Sequence, residues 1–392
     1  MRIFHLSDLH IGLRLYNYDL RQEQQDLLRQ VVEQAQRYCP DVVVIAGDIY
    51  DKSVPSAEAV QLLNTFLTDL YDNVPNLTIM LVSGNHDSAQ RIDCFRSLLA
   101  RQRIHLVGMP PRTPEEYIQK VVVQDEFGVV NFYLLPFVKP FMVRGVFADT
   151  DMDGQEEREL GGMSYNEALH RLMEREEMNL NQRNILVSHQ FYVPAGAKPE
   201  DVQRMDSEVL TVGNVDAVGA DLLLPFDYAA LGHIHKPMKV EKDCWRYCGT
   251  PMPYSLSEAG QEKGIVMVDV KKKGEPLEIT TIPLTPRRTV QKLKGTLEQL
   301  LKTPSDNYVS LTLTDKEDWN PVDMQEKLHL AFPHLLEITR EVRFRGTPGE
   351  EFLEEIGEPE PYALFCEFCP DMSEEDKVLI QDVINKVREE NL

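Results

Sequence analysis

Five short polar segments have residue types and spacings that could form a metal-dependent catalytic site. Each follows an apolar run, and together they contain aspartate, asparagine and histidine side chains: Asp8-Leu9-His10, Gly47-Asp48, Gly84-Asn85-His86-Asp87, Ser188-His189 and Gly232-His233-Ile234-His235. Loops that follow the carboxyl ends of parallel strands meet in one crevice, so residues far apart in the chain can lie together there. We therefore predict that the five segments form a single site.

The donor atoms of these segments indicate a site for two divalent cations. The set offers two carboxylates, one amide oxygen and four imidazoles: Asp8, Asp48, Asn85, His10, His189, His233 and His235. Mixed oxygen and nitrogen ligands without thiolate suit Mn²⁺ or Fe²⁺ better than a structural zinc ion. Seven side chains exceed the needs of one ion, whereas a bridging carboxylate would let two ions share them. Two cations about 3.5 to 4 Å apart can hold a phosphate and lower the pKa of a shared water toward neutrality, which predicts phosphoester hydrolysis.

Local spacing adds to this prediction. In extended backbone, residues i and i+2 point to the same side, so Asp8 with His10 and His233 with His235 should each face one site. Taken singly the motifs are weak, because Gly-Asp at a strand end is usually a turn and a histidine such as His189 is often an ordinary core residue. The ordered conjunction of five motifs favours the metal site.

The elements that position these segments alternate in an α/β pattern over residues 1–270. Apolar runs predict buried strands at Arg2–Leu6, Asp41–Ala46, Leu77–Val82, Asn131–Phe137, Asn184–Val187 and Tyr228–Leu231. Apolar residues with helical spacing predict helices between them, as in Leu20, Leu27, Val31 and Ala35. Later runs, including Gly264–Val270 and Leu277–Leu284, are more typical of antiparallel strands.

The pattern changes after Pro286. A small α+β domain is predicted over 285–345, with strands at Tyr308–Leu313 and Ile338–Phe344 and a helix at Val322–Ala331. A Gly/Pro/Glu-rich linker follows over 346–360, and Ser373-x-x-Asp376 predicts a capping box that opens a helix within the final segment, 361–392.

Composition and charge exclude several classes of protein. A chain of 392 residues with 42% hydrophobic and 27% charged residues is long enough for two or three domains and fits neither a fibrous repeat nor a disordered protein. Apolar runs are all strand-sized, so we expect no membrane span, and without a secretion signal we expect a cytoplasmic protein. The net charge of −23 argues against a chain-wide nucleic-acid-coating surface but not against a local basic groove.

In combination, the motifs resemble the calcineurin-like metallophosphoesterase superfamily and, within it, the SbcD family of DNA nuclease subunits. The narrower resemblance rests on four stretches: Phe4–Gly12, Gly47–Asp51, Tyr228–Pro237 and Cys248–Ser255. It implies an α/β sandwich of mixed sheets flanked by helices over residues 1–280 and a DNA-contacting capping domain over 285–345. It also implies that the C-terminal helical segment, 361–392, binds an SMC-like ATPase called SbcC.

The resemblance also implies a role for each site residue. The first ion would be held by Asp8, His10, Asp48 and His235, and the second by Asp48, Asn85, His189 and His233. His86 would contact the scissile phosphate and stabilise or protonate the leaving oxygen, and Asp87 would orient His86 through a hydrogen bond. Mn²⁺ is the expected metal, with Mg²⁺ and Fe²⁺ as alternatives.

Finally, the resemblance implies a biological setting. The expected activities are 3′-to-5′ exonuclease on double-stranded DNA ends and endonuclease on hairpin or blocked ends, in DNA repair, recombination and replication. The expected partners are DNA, SbcC and a second copy of the chain in a heterotetramer.

Two alternatives remain open. The first is a phosphomonoesterase or cyclic-nucleotide phosphodiesterase with the same metal centre, and the second is a non-catalytic DNA-end tether. The nuclease is favoured because such phosphatases need neither a capping domain nor an apolar, acidic tail, and because an intact His86 speaks against the tether.

Overall fold

Runs of valine, isoleucine and leucine form the central strands of two mixed sheets. The computed structural model describes residues 1–147, 162–208, 215–315, 321–341, 362 and 373–390. Its strands are β1 Arg2–Leu6, β2 Arg14–Leu15, β3 Tyr18–Asp19, β4 Val42–Ala46, β5 Thr78–Val82, β6 Ile104–Val107, β7 Gln119–Asp125, β8 Gly128–Leu135, β9 Arg183–His189, β10 Phe191–Val193, β11 Ala217–Gly219, β12 Tyr228–Gly232, β13 Met238–Val240, β14 Lys242–Tyr247, β15 Gly264–Asp269, β16 Glu278–Pro283, β17 Val290–Gly295, β18 Tyr308–Leu313 and β19 Leu335–Arg340. The main helices are α1 Arg21–Tyr38, α2 Ala57–Asn73, α3 Tyr165–Glu174, α4 Leu297–Leu301, α5 Pro321–Ala331 and α6 Glu374–Glu390.

Each of the two large sheets has six strands and a parallel centre. The first sheet has the order β16-β15-β1-β4-β5-β6, in which β1, β4, β5 and β6 run parallel and β15 pairs antiparallel with both β1 and β16. The second has the order β13-β14-β12-β9-β8-β7, in which β14, β12, β9 and β8 run parallel and the two outermost strands are antiparallel. Parallel strands end at one edge, and the predicted site segments follow those ends.

The sheets pack face to face, and helices cover their outer faces. One apolar core lies between the sheets and includes Val44 and Met80 from the first and Phe132 and Val187 from the second. A second core joins α1 and α2 to the outer face of the first sheet, and a third joins α3 to the outer face of the second. All five residues of β4 are buried because the strand is covered on both faces. The predicted mixed α/β sandwich is confirmed.

A third, smaller unit has a core of its own. Strands β17, β18 and β19 form a parallel sheet, and α4 and α5 pack on it around Leu311, Leu328 and Phe332. Strand β19 begins at Leu335, three residues before the predicted Ile338, and the end of the predicted strand lies outside the described residues. Strand β17 was not predicted, because its alternation of lysine and apolar residues is weak.

Polar contacts attach this unit to the first sheet's helical layer. Arg288 Nη1 lies 2.8 Å from the buried Glu23 carboxylate on α1, and the Tyr18 hydroxyl donates to the backbone oxygen of Leu335 at 3.2 Å.

The C-terminal helix α6 is present where the capping box predicted it. Ser373 Oγ accepts a hydrogen bond from the Asp376 amide at 3.2 Å, and the Asp376 carboxylate accepts one from the Ser373 amide. The predicted linker over 346–360 lies outside the described residues. In the described part of the chain, no helix combines the length and apolar character needed to cross a membrane.

Candidate metal centre

The ligand-bearing turns have unusual backbone conformations. Asp8, His10, Asp48 and His233 have positive φ angles of 52°, 42°, 46° and 100°. The prediction that the i, i+2 pairs lie in extended backbone is therefore wrong. Residues in this region cost free energy and persist only where surrounding structure holds them, a situation common at functional sites.

Backbone hydrogen bonds between the turns hold these conformations. The Asp8 amide donates to the Gly47 carbonyl, and the His10 amide donates to the Asp48 carbonyl, both at 3.0 Å. Gly47 itself has a φ of +86°, and a Cβ atom added there would lie 2.2 Å from His189 Nδ1. Only glycine fits at this position, because the second sheet approaches the backbone so closely.

Four of the predicted ligands form one compact, buried group. The donor atoms of Asp8, His10, Asp48 and His235 all lie within 4.8 Å of one another. His10 Nε2 lies 3.1 Å from His235 Nε2 and 3.6 Å from Asp48 Oδ2. This is the set that the family resemblance implies for the first ion.

The other predicted ligands form a second group around Asn85. Asn85 Oδ1 lies 3.1 Å from His189 Nε2 and 2.9 Å from His233 Nδ1. His189 Nε2 also lies 3.4 Å from Asp48 Oδ2. The structure thus brings all seven predicted ligand residues together, with the Asp48 carboxylate between the two groups.

The histidines from the second sheet turn one ring nitrogen toward the centre and keep the other on a neighbouring group. His189 Nδ1 lies 2.8 Å from the Ala46 carbonyl, which it reaches by donating its proton. His235 Nδ1 lies 2.7 Å from Ser207 Oγ, and His233 Nε2 lies 3.0 Å from Arg204 Nη2. In the neutral imidazoles the first two contacts leave a lone pair on His189 Nε2 and His235 Nε2, as metal ligation requires. Arg204 can only donate to His233 Nε2, so the proton of a neutral His233 lies on Nδ1 and is donated to Asn85 Oδ1. Metal ligation through His233 Nδ1 would therefore require this proton to leave Nδ1.

Burial keeps three of the imidazoles neutral, which is the form that binds metal. It lowers the pKa of His10 to about 3 and that of His233 to about 4. Burial also lowers the pKa of His235 well below its ordinary value.

The carboxylate side of the centre carries negative charge that a cation would offset. Burial raises the pKa of Asp8 to about 7, and the nearby Asp48 carboxylate adds to the increase. Burial opposes protonation of His189, but Asp48 and Asp8 together outweigh it and raise the pKa of His189 to about 9. The donor set, its burial and this need for positive charge fit two divalent metal ions.

His86 lies beside this centre. Its amide donates to Asp48 Oδ1, and its Nδ1 lies 2.9 Å from the backbone oxygen of Asp51. The His86 ring meets the His10 ring edge-on, with centroids 4.8 Å apart. Burial lowers the pKa of His86, but the Asp48 carboxylate more than compensates, so the net pKa is raised and the protonated form is favoured.

Asp87 has a different role from the one expected. Its carboxylate accepts backbone hydrogen bonds from Ile49, Tyr50 and Gly84 at 2.9 to 3.0 Å. The predicted hydrogen bond by which Asp87 orients His86 is therefore wrong, because Asp87 points at the turn after β4 and Asp51 holds the His86 ring. Asp87 joins the turns that carry Asp48 and Asn85.

A set of polar groups that was not predicted from the sequence lies behind the ligands. Its members are Asp51, Arg204, Ser207, Glu208, Asp216, Glu258 and Lys263. Only Asp51 had a local signal, since it closes the Gly47–Asp51 motif; the others are single polar residues far along the chain from the ligands they contact.

Fold and site together define a class of metal-dependent phosphoester hydrolases. The model of the calcineurin-like phosphoesterase family matches residues 1–237, and the chain belongs to that family.

More specific relatives are SbcD proteins, the nuclease components of SbcCD complexes. The chain is 29% identical over 350 residues to the SbcD protein of the SbcCD nuclease of Staphylococcus epidermidis, covering 87% of this chain and 86% of the relative. It is also 29% identical over 342 residues to the SbcD protein of Staphylococcus saprophyticus, covering 86% and 82%. These matches confirm the resemblance to the SbcD family. A solved dimetal phosphatase from Danio rerio aligns with a TM-score of 0.41 and 14% identity, over 73% of this chain and 99% of that chain.

Proposed function

We propose that this chain is the nuclease subunit of an SbcCD-type complex and hydrolyses DNA phosphodiester bonds at a two-metal centre. The observation that carries the proposal is the Asp48 carboxylate, which lies between two groups of ligands, all buried except the half-buried Asn85, with His86 beside it. The family match supports a metal-dependent phosphoesterase, and the similarity to SbcD proteins over most of the chain supports DNA as substrate.

Bound divalent ions, with Mn²⁺ favoured, would polarise the phosphate and make a metal-associated water nucleophilic. Asp48 would bridge the two ion positions, and its charge would offset both. The His86 ring is fixed through Nδ1 by the Asp51 carbonyl, so its Nε2 remains for the substrate. His86 would then donate a hydrogen bond or a proton to the leaving oxygen, and its raised pKa favours this role. Asp87 would act indirectly, by holding the turns around Asp48 and Asn85.

The partner proposal rests on the C-terminal segment. From Glu350 onward the chain carries fourteen acidic and three basic residues. On α6, the apolar side chains of Val378, Leu379 and Val383 are 58%, 62% and 51% exposed. We propose that residues 361–392 dock on the SbcC ATPase as an amphipathic helix in a groove and that 285–345 contacts DNA. A homodimer within a heterotetramer acting in repair, recombination and replication completes the proposal.

The test compares substrates and variants directly. Purified chain with Mn²⁺ is incubated with linear duplex DNA, hairpin DNA, a small phosphodiester and a phosphomonoester, with and without SbcC and ATP. We expect cleavage of DNA ends and hairpins, and 3′-to-5′ polarity with strand-specific end labels. Preference for the monoester in every condition would favour the phosphatase alternative, and DNA binding without cleavage would favour the tether.

His86→Ala tests the assigned chemistry within the same assay. Loss of this acid should lower cleavage by about 10²- to 10⁴-fold while Mn²⁺ content and DNA binding persist. His170→Ala, on α3 and paired with Asp221, is the matched control and should cleave at the wild-type rate. Undiminished cleavage by His86→Ala would refute its role.

A further inference from the structure

His235 is held at three points by residues outside its own turn. Its Nδ1 lies 2.7 Å from Ser207 Oγ, its amide donates to Glu208 Oε1 at 2.9 Å, and its carbonyl accepts from Lys263 Nζ at 2.7 Å. The side chain of His235 is almost completely buried. Both its backbone and its ring orientation are therefore set by contacts that the ligand motif does not contain.

The contact with Ser207 has a defined direction. Ser207 Oγ donates its proton to Glu258 Oε1 at 2.6 Å, so its lone pairs are free to accept a proton from His235 Nδ1. This arrangement requires the proton of a neutral His235 to be on Nδ1 and leaves Nε2 toward His10 and Asp8. Ser207 thus links the Glu258 carboxylate to the His235 imidazole through two hydrogen bonds. This link replaces the direct carboxylate–histidine contact that is common behind metal ligands.

Other hydrogen bonds fix the Glu258 carboxylate that accepts from Ser207. It is fully buried, and its Oε2 accepts from Thr250 Oγ1 at 2.8 Å and from Lys263 Nζ at 2.7 Å. A buried carboxylate is tolerated only when it is paired and hydrogen-bonded, and a fully satisfied network of this kind is rigid. Lys263 also donates to the His235 carbonyl, so the hydrogen-bond network around Glu258 contacts both the ring and the backbone of His235.

His189 in the other ligand group is held differently. Its Nδ1 donates to a main-chain carbonyl, that of Ala46 in β4, and not to Ser207 or Glu258. A change at Ser207 should therefore act on one ion position and spare the other.

We propose that Ser207 and Glu258 are positioning residues that fix His235 in its metal-binding orientation and set the divalent-ion affinity of the position formed by Asp8, His10, Asp48 and His235. This inference rests on the two-metal centre proposed above. It assigns a function to Ser207 and to the buried Glu258, neither of which belongs to the ligand motifs.

The test is Mn²⁺ binding, with no substrate present. Metal-free protein is titrated with Mn²⁺ by calorimetry, and electron paramagnetic resonance distinguishes a spin-coupled pair from a single ion. Wild type should bind two ions. Ser207→Ala should bind one ion with wild-type affinity and the other about 10- to 100-fold more weakly. Ser207→Thr keeps the hydroxyl and should restore both affinities.

Ser310→Ala is the matched control, because Ser310 Oγ also donates to a glutamate, Glu337 Oε1, at 2.8 Å, but in the small sheet. It should leave both affinities unchanged. Ser207→Cys, which keeps the size and only a weak donor, replaces the alanine variant if that variant does not fold.

Two results would overturn the inference. The first is wild-type Mn²⁺ affinity at both positions in Ser207→Ala. The second is equal weakening of both affinities together with a lower melting temperature of the metal-free protein, because that combination indicates a merely structural role. Binding of fewer than two ions by the wild-type protein is a different failure, since it removes the two-metal centre itself and the inference with it.

Discussion

The two large sheets contribute different chemistry to one site. The first sheet supplies the oxygen ligands, on turns after β1, β4 and β5. The second supplies three imidazoles, at the ends of β9 and β12, while His10 is the one imidazole from the first sheet. The two carboxylate ligands, Asp8 and Asp48, accept hydrogen bonds from backbone amides, whereas two of the second-sheet imidazoles, those of His189 and His235, contact oxygen acceptors.

These supporting contacts cross between the sheets. Asp8 Oδ1 accepts from the His233 amide of the second sheet at 3.0 Å, and His189 contacts the Ala46 carbonyl of the first sheet. Each sheet therefore orients ligands carried by the other. The site therefore depends on the packing of the two sheets against each other.

The largest effect is expected from Asp48→Asn, because His10 Nε2 of the first group and His189 Nε2 of the second lie 3.6 and 3.4 Å from the same oxygen, Asp48 Oδ2. Loss of the bridging charge should lower phosphodiester hydrolysis about a thousandfold, or ~4 kcal/mol of transition-state stabilisation. Steady-state rates with Mn²⁺ and metal analysis check this. Asp72→Asn, at an exposed position on α2, is the control, and a rate within tenfold of wild type for Asp48→Asn would rule out the bridge.

Gly47→Ala tests a point at which the two sheets approach each other closely. The new Cβ would meet His189 Nδ1 and would also strain a positive φ angle, so we expect a loss of ~2 to 4 kcal/mol in the free energy of unfolding. Denaturant titration measures it. Gly274→Ala is matched, because Gly274 has a φ of +85° but open space around it, and should lose only the backbone part. Equal losses in the two variants would show that the sheets do not crowd Gly47.

Metal binding should stabilise the closed sandwich, because its ligands come from both sheets. Mn²⁺ at a hundred times its dissociation constant should add about 2.7 kcal/mol per site to the free energy of unfolding. Thermal melts with Mn²⁺ or with a chelator measure the change. Asp48→Asn should show a smaller increase, and identical melting curves for wild type with and without Mn²⁺ would contradict the prediction.

The smallest effect on stability is expected at the start of β9, where Arg183 lies, away from His189 at the end of the strand. Asp125 contacts Arg183 at 2.9 Å and the Met1 ammonium at 3.0 Å. Burial raises the pKa of Asp125, but these two cations outweigh it and hold the pKa well below its ordinary 3.8. The stabilisation is therefore fully present above about pH 4 to 5 and is lost as the pH falls below that range.

Asp125→Asn should thus lower stability by ~1 to 3 kcal/mol at pH 7, with a difference from wild type that narrows below pH ~4. Mn²⁺ stoichiometry should not change, because this end of β9 lies away from the ligands. Asp243→Asn is the control, since its exposed pair with Lys239 should be worth less than ~1 kcal/mol. A pH-independent difference would show that the charge of Asp125 is not what stabilises the fold.

Much of the fold followed from local pattern. Strands β1, β4, β5, β9 and β12 are buried on both faces and read as continuous apolar runs, so their positions and the polar residues at their ends were predictable. Strand β7 was missed because Val121 is its single buried residue and polar residues occupy both of its ends. The hydrogen-bond partners of Asp87 were also not predictable from local pattern. Its carboxylate binds the backbone amides of Ile49, Tyr50 and Gly84, and not the His86 ring.

Residue type and position relative to apolar runs were sufficient to predict that the seven candidate ligand side chains lie together, because donor chemistry belongs to the side chain and strand ends are a local property. The positive φ angles, the ring nitrogen that each histidine presents and the Ser207–Glu258 contact came only from the folded chain. Their cause lies in hydrogen bonds between distant segments, such as that from the His233 amide to Asp8 across 225 residues, and no local pattern encodes such pairs.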